Sequence, residues 1–253
     1  MPETVAAERY PIPPEELRRR VGEPDADAFV RSGNADVRLL DEQALGHDGK
    51  SLKDFASILD FGCGCGRLTR ALRPRADAWA TLQGADTDAG SIRWCKDNIG
   101  DASFWTVGET PPLHFTDASM DLIIAWSVFT HLDVENQFHW LNEFQRVLKP
   151  GGYLLATFRY THFIDRSGDG SLRERTWTKL SRDGVTFLPA GSITAGVRSG
   201  PSGDSFHSPE YIRKNWGSYF EVRQIVTAET DAQEVAVLRA RESTFLKRVF
   251  QRA

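Results

Sequence analysis

Cysteine is scarce in this sequence, with three residues in 253, two of them in the run "GCGCG" at positions 62 to 66. Such thiols make a poor disulfide framework, so a reducing, cytoplasmic setting is expected. They make an equally poor metal site. Structural zinc takes cysteine pairs at roughly C-x2–4-C spacing and about four ligands in all, whereas this is C-x-C with Cys95 the one further thiol. No metal is expected.

Long apolar runs are missing too. No stretch approaches about 18 apolar residues, and "MPETVAAERYPIPPEELRRR" lacks the apolar run of about 7 to 15 residues that marks a secretory signal. A soluble protein with no integral membrane segment is the expectation. Charge of one sign is also lacking: Lys plus Arg total 31 against 35 for Asp plus Glu, a formal charge of −4. No general field attracts a polyanion, and nucleic acid is not expected as a partner. Internal repeats and long low-complexity tracts are absent.

What is present supports one domain over residues 1–253, with 40% apolar residues to fill a core. A proline-rich lead-in (1–14) precedes a helical cap (15–54), which holds "EELRRRV" and one or two further helices. From Ile58 the pattern changes. Short apolar runs, "SILDF", "TLQGAD", "SFWTV", "DLIIAW" and "GYLLATF", alternate with helical stretches, the signature of βαβ units and a parallel sheet over 55–158. In "NQFHWLNEFQRVL" the residues Phe138, Leu141, Phe144 and Leu148 share one helical face, and "KPGG" ends the helix. Residues 159–207 break the pattern and are too long for a bare loop, so an inserted hairpin or lid is expected. In 208–253, Ser208 and Pro209 start a helix, and "FEVRQIVT" and "EVAVLRA" form an antiparallel hairpin. The basic and apolar "RARESTFLKRVFQRA" reads as a terminal helix docked on the core, with contact to a membrane surface or lipid-linked acceptor as the other reading.

The glycines let a chain leaving a buried strand turn sharply into a helix and bring its backbone close to a ligand. Their spacing excludes two ligands. Gly62, Gly64 and Gly66 form G-x-G-x-G, and Arg67 stands where a dinucleotide fingerprint has its third glycine; no G-K-[ST] follows for a triphosphate loop. The next strand ends at Asp86, where a carboxylate can accept both hydroxyls of a ribose.

Taken together, "ILDFGCGCG" and "GADTD" resemble the class I S-adenosylmethionine-dependent methyltransferases. The resemblance covers about residues 55–160 and continues in "GETPPLHF", "TDASMDLIIAWSVFTHL" and "EFQRVLKPGGYLLATF". It implies a Rossmann-like α/β fold: seven strands, mostly parallel with an antiparallel C-terminal hairpin, and helices on both faces. S-adenosylmethionine is the cofactor it implies. Asp86, with Thr87 beside it, would hold the ribose, and Glu109, where the family has Asp, the adenine amino group. His114 replaces a family proline. Asp60 would approach the methionine end or order the loop, with Gly62, Cys63, Gly64 and Gly66 as the turn and Trp126 as a wall. No aspartate follows the fourth strand, where metal-dependent members carry one.

Methyl transfer needs the acceptor positioned and water excluded, plus a base where the acceptor is a hydroxyl. His131 in "SVFTHL" is the candidate base, with a purely structural turn residue as the alternative. His162 and His207 are weaker candidates. Phe129, Arg159, Tyr160 and His207 are placed on the acceptor side, or else in ordinary packing. No "N-P-P-[YF]" follows the fourth strand, which argues against amide or base nitrogens. The wider layout resembles methyltransferases found with sugar and natural-product enzymes, which points to O-methylation of a saccharide or natural-product hydroxyl. N-methylation of a small amine or aminosugar, and a non-catalytic cofactor-binding module, stay open. The oligomeric state is not legible.

Overall fold

Five of the apolar runs become parallel strands: β1 (Ser57–Phe61), β2 (Thr81–Asp86), β3 (Ser103–Thr106), β4 (Met120–Ala125) and β5 (Leu148–Phe158). The structure, a computed structural model, describes residues 9–160, 170–190, 203–227 and 233–242. Two more strands, β8 (Phe220–Thr227) and β9 (Glu234–Ala240), pair with each other antiparallel, and β9 adds antiparallel to β5. The resulting order, β3-β2-β1-β4-β5-β9-β8, reverses direction across β1 and β4. Open α/β sheets hold ligands at such a switch point, beyond the carboxyl ends of the strands.

Side chains alternate across the sheet, so each strand feeds two cores. Leu59, Ile123, Leu154 and Ala236 face one side, against Leu141 and Phe144 of α5 (Val134–Val147) and Ile212 of α7 (Pro209–Asn215). Ile58, Leu122, Leu155 and Val237 face the other. There they meet Val37 of α2 (Ala26–Arg38) and Leu68 and Leu72 of α3 (Arg67–Leu72). Fully burying a side chain of this size is worth about 1.5–3 kcal/mol, so both faces are covered by necessity.

Helix α5 ends one residue before the expected stop. Leu148 is already extended (φ −71°, ψ 138°) and opens β5, because Pro150 can supply no helical N–H. Leu148 therefore belongs to the strand, and Val147 takes its place on the buried helical face. The cap contains α1 (Glu15–Arg20) and α2, the latter capped by the Asp25 carboxylate, which accepts from the Ala28 amide at 2.7 Å.

Within 159–207 the expected hairpin is present: β6 (Val185–Pro189) pairs antiparallel with β7 (Gly203–His207), after α6 (Gly170–Asp183). All five residues of β7 are buried, with Ser205 N–H donating to Thr130 O and His207 N–H to Arg159 O, each at 2.8 Å. The strand is a fixed wall wedged between the turn after β4 and the exit of β5. His162 and residues 243–253, with their docked-helix or membrane readings, lie outside the described residues.

Candidate functional site

The turn from β1 into α3 takes the shape its glycines permit. Gly62, Gly64 and Gly66 have φ of 77°, 52° and 83°, values that side-chain-bearing residues rarely adopt. The Gly62 and Cys63 amides donate to Ala85 O at the end of β2 (2.7 and 3.2 Å). The Gly64 amide donates to Asp86 Oδ2 at 2.7 Å, and the Asp88 amide to Oδ1 at 2.8 Å. Each oxygen keeps a second lone pair for a sugar hydroxyl. Burial pushes the Asp86 carboxyl upward from the ordinary range, against those amide hydrogen bonds.

Asp60 is 1% exposed and accepts from Thr69 Oγ1, in α3, at 2.5 Å. Of its two expected roles, this geometry fits the ordering of the loop. Burial raises its pKa to about 6, opposed by the Thr69 hydrogen bond. The thiols of Cys63 and Cys95 donate to Gly64 O at 3.7 and 3.6 Å, and burial holds both well above a reactive range. Cys65 is pushed up to about 12 for the same reason. Among the described residues, no group of three His, Cys, Asp or Glu is arranged around a metal position.

Thr87 and Glu109 are exposed at this end of the sheet. The Val107 amide donates to Asp86 O at 3.0 Å, which brings the strand exit leading to Glu109 beside the ribose position. Two α5 side chains staple that loop: Glu143 accepts from the Leu113 amide at 2.6 Å, and Arg146 donates to Phe115 O at 2.9 Å. His114 stacks between Trp105 and Phe115. Trp126 follows β4 and is 6% exposed, with the Arg67 guanidinium 6.0 Å from its ring centre. Its indole N–H is buried and has no hydrogen-bond partner among the described residues.

The β4 exit is fixed by a polar network that the sequence did not announce. Ser127 has φ 59°; its amide donates to Thr157 Oγ1 (2.7 Å), and Thr157 donates to Gln233 Oε1 (2.8 Å). Four residues on, His131 keeps 27% of its side chain exposed, with Nδ1 3.0 Å from Gly203 O and 3.5 Å from Asp204 Oδ1. Both neighbours are acceptors, so Nδ1 carries the proton and the ring's basic lone pair is at Nε2.

Three acceptor-side residues sit differently from expectation. Phe129 is fully buried against Phe144 and Trp216, a core residue and not a pocket wall. Arg159 is 5% exposed and ion-paired with Asp204, so its charge is spent inside the protein. His207 is fully buried; its Nε2 donates to Gln137 Oε1 at 2.9 Å, and burial lowers its pKa to about 3, leaving a neutral packing residue. Tyr160 packs edge-on against Trp177 and lines a groove of about 530 Å³ between α6 and α7. A larger cavity, about 750 Å³, opens at the opposite, amino-terminal end of β2 and β3, away from these groups.

Further groups emerge from the fold alone. Arg20 of α1 pairs with Asp88 at 2.7 Å, and Val21 packs over Gly64. Glu234, at the start of β9 opposite Phe158, is 5% exposed and raised to about 7 by burial. A lone Arg, Val or Glu in a polar stretch carries no sequence signal of this kind.

A mostly parallel sheet of this order, with a glycine turn leaving β1 and an acid closing β2, agrees with the fold that the resemblance to the class I S-adenosylmethionine-dependent methyltransferases implied. A family model described as "Methyltransferase domain" matches residues 59–156. The chain is 34% identical over 110 residues to a malonyl-[acyl-carrier protein] O-methyltransferase of Hahella chejuensis, covering 42% of this chain and 38% of that protein. It is 29% identical over 139 residues to a fatty-acid O-methyltransferase of Mycolicibacterium smegmatis, covering 51% and 47%. The chain thus matches less than half the length of these relatives. The N-methyltransferase NodS of Bradyrhizobium japonicum, solved with S-adenosyl-L-homocysteine, superposes with a TM-score of 0.52 at 18% identity over 90% of this chain and 98% of that one, a likeness of fold.

The residues present suit S-adenosylmethionine: positive-φ glycines, a carboxylate with spare lone pairs, and the Trp126 donor. Among the described residues no helix is long and apolar enough to cross a membrane.

Proposed function

We propose that the protein transfers a methyl group to a hydroxyl oxygen of a small polar acceptor, such as a saccharide or natural-product hydroxyl, with His131 as general base. The cofactor supplies a methyl carbon activated by its sulfonium. Asp86 and Thr87 would hold its ribose and Glu109 its adenine, while the turn of Gly62, Cys63, Gly64 and Gly66 would bring the backbone against it, with Asp60 bracing the turn and Trp126 closing one side. Tyr160 borders the acceptor entrance. The carrying observation is the partly exposed His131 ring, whose Nδ1 is turned to Gly203 O, which makes Nε2 its basic nitrogen.

A second reading has support from the relatives, both named as O-methyltransferases of acyl substrates: the acceptor is a carboxylate, which needs no base. One experiment separates the two. S-adenosylhomocysteine release is measured over a panel of monosaccharides, phenols, small amines and fatty acids, with wild type and His131→Ala. Hydroxyl acceptors whose turnover falls about a hundredfold in the variant support the proposal; full turnover in the variant overturns the base assignment. Cofactor binding with no turnover of any acceptor would favour a binding module.

A further inference from the structure

The hairpin brings a buried acid to the base. Asp204 on β7 is fully buried, and its Oδ1 meets Arg159 on one side and lies 3.5 Å from His131 Nδ1 on the other. Gly203 O, one residue earlier, is 3.0 Å from the same nitrogen. The strand that carries both is pinned on both sides. The Ser205 amide donates to Thr130 O, next to His131, and the His207 amide to Arg159 O. A carboxylate removed from water is costly unless paired and hydrogen-bonded. Arg159, 5% exposed, balances that charge and leaves the same oxygen turned to the ring.

We propose that Asp204 is a positioning residue for His131, fixing the Nδ1-protonated tautomer and stabilising the imidazolium formed when Nε2 takes a proton. This rests on His131 acting as a base, and it names the acceptor class as a hydroxyl, because a carboxylate has no proton to give at neutral pH. In the step, the acceptor O–H bond would break, its proton passing to Nε2, and the oxygen would use the freed electron pair for its new bond to the methyl carbon, whose bond to the sulfonium sulfur breaks with its electrons going to sulfur. The ring becomes cationic beside the Asp204 carboxylate. The proton leaves to water after turnover.

The test reads the ring directly. Nitrogen-15 spectra of His131 in the S-adenosylhomocysteine-loaded protein should show a pyrrole-type Nδ1 and a pyridine-type Nε2. Asp204→Asn removes the charge but takes a countercharge from the buried Arg159, so Arg159→Met/Asp204→Asn, which removes both charges, is measured beside it. The expected result is a mixed tautomer, with kcat for a hydroxyl acceptor from the panel lower by about ten- to a hundredfold and KM within about twofold. An unchanged tautomer overturns the proposal, and His131→Ala then shows separately whether the base reading survives. A shifted tautomer with a fully active His131→Ala overturns the base reading, and the catalytic use of Asp204 with it.

Discussion

The Asp60 carboxyl sits at the end of β1 with its pKa raised from 3.8 to about 6 by burial. A raised folded-state value means the native protein keeps a proton that the unfolded chain releases. Between about pH 4 and 6 stability therefore falls as pH rises, and above that window the full cost of a buried charge remains. Asp60→Asn keeps an oxygen to accept from Thr69 and removes the charge. The expected outcome, read by urea unfolding without cofactor, is a gain of roughly 1–3 kcal/mol over wild type at about pH 8 that vanishes near pH 4. A wild type equally stable at the higher pH would show that the carboxyl is solvated after all. The neighbouring thiols take no part in this chemistry: all three are buried, and burial suppresses the thiolate. Asp60 and Asp86 were legible because their spacing from the glycines along the chain is set by a single βαβ unit. Asp204 was not, because its partners Arg159 and His131 lie 45 and 73 positions away in sequence and meet it only through tertiary packing.

At the scale of elements, the glycine turn is held from outside as well as within. A Cβ on Gly64 would lie 2.2 Å from Val21 Cγ1, at a φ of 52°. Gly64→Ala thus combines about 1–2 kcal/mol of left-handed strain with a clash against the C-cap of α1. Affinity for S-adenosylhomocysteine, measured by calorimetry, should fall about tenfold or more. Val21→Ala alone should change it little, yet restore part of the loss in the double variant, with a coupling of about 0.5–3 kcal/mol. Strict additivity would mean that backbone strain alone sets the effect. The same scale separates what the pattern revealed from what it concealed. The parallel strands and the β8–β9 hairpin carry apolar runs of the right length, so their periodicity exposed them. Strand β7, "GDSFH", is as buried as any of them but is polar, and it is held there by hydrogen bonds and an ion pair with Thr130, Gln137 and Arg159, which no local pattern encodes.

Across the whole molecule, the cap and the cofactor end of the sheet are joined by contacts of unequal weight. Arg20–Asp88 is a half-exposed ion pair at 2.7 Å, a type worth about 0–1 kcal/mol. The stronger tie is apolar: Leu17 of α1 and Phe29 of α2 close over Cys65, with Val21 and Trp94 at the rim. Cys65 reports on this contact, because it is fully buried only while the cap is seated. Leu17→Ala removes the plug from α1. Leu-to-Ala changes in cores cost about 2–5 kcal/mol, and each 1.4 kcal/mol or so of lost closing energy raises a local opening equilibrium about tenfold. Thiol labelling resolved by mass spectrometry should therefore modify Cys65 at least about tenfold faster in the variant. Cys63 and Cys95, enclosed with Phe104 and Ile92 beneath the loop, should change little. Saturating S-adenosylhomocysteine should slow Cys65 labelling again, if the cap and the cofactor share the Gly64 turn as their common support. Equal acceleration at all three cysteines would instead show that the cap and the sheet open as one unit, and that cofactor access does not depend on α1.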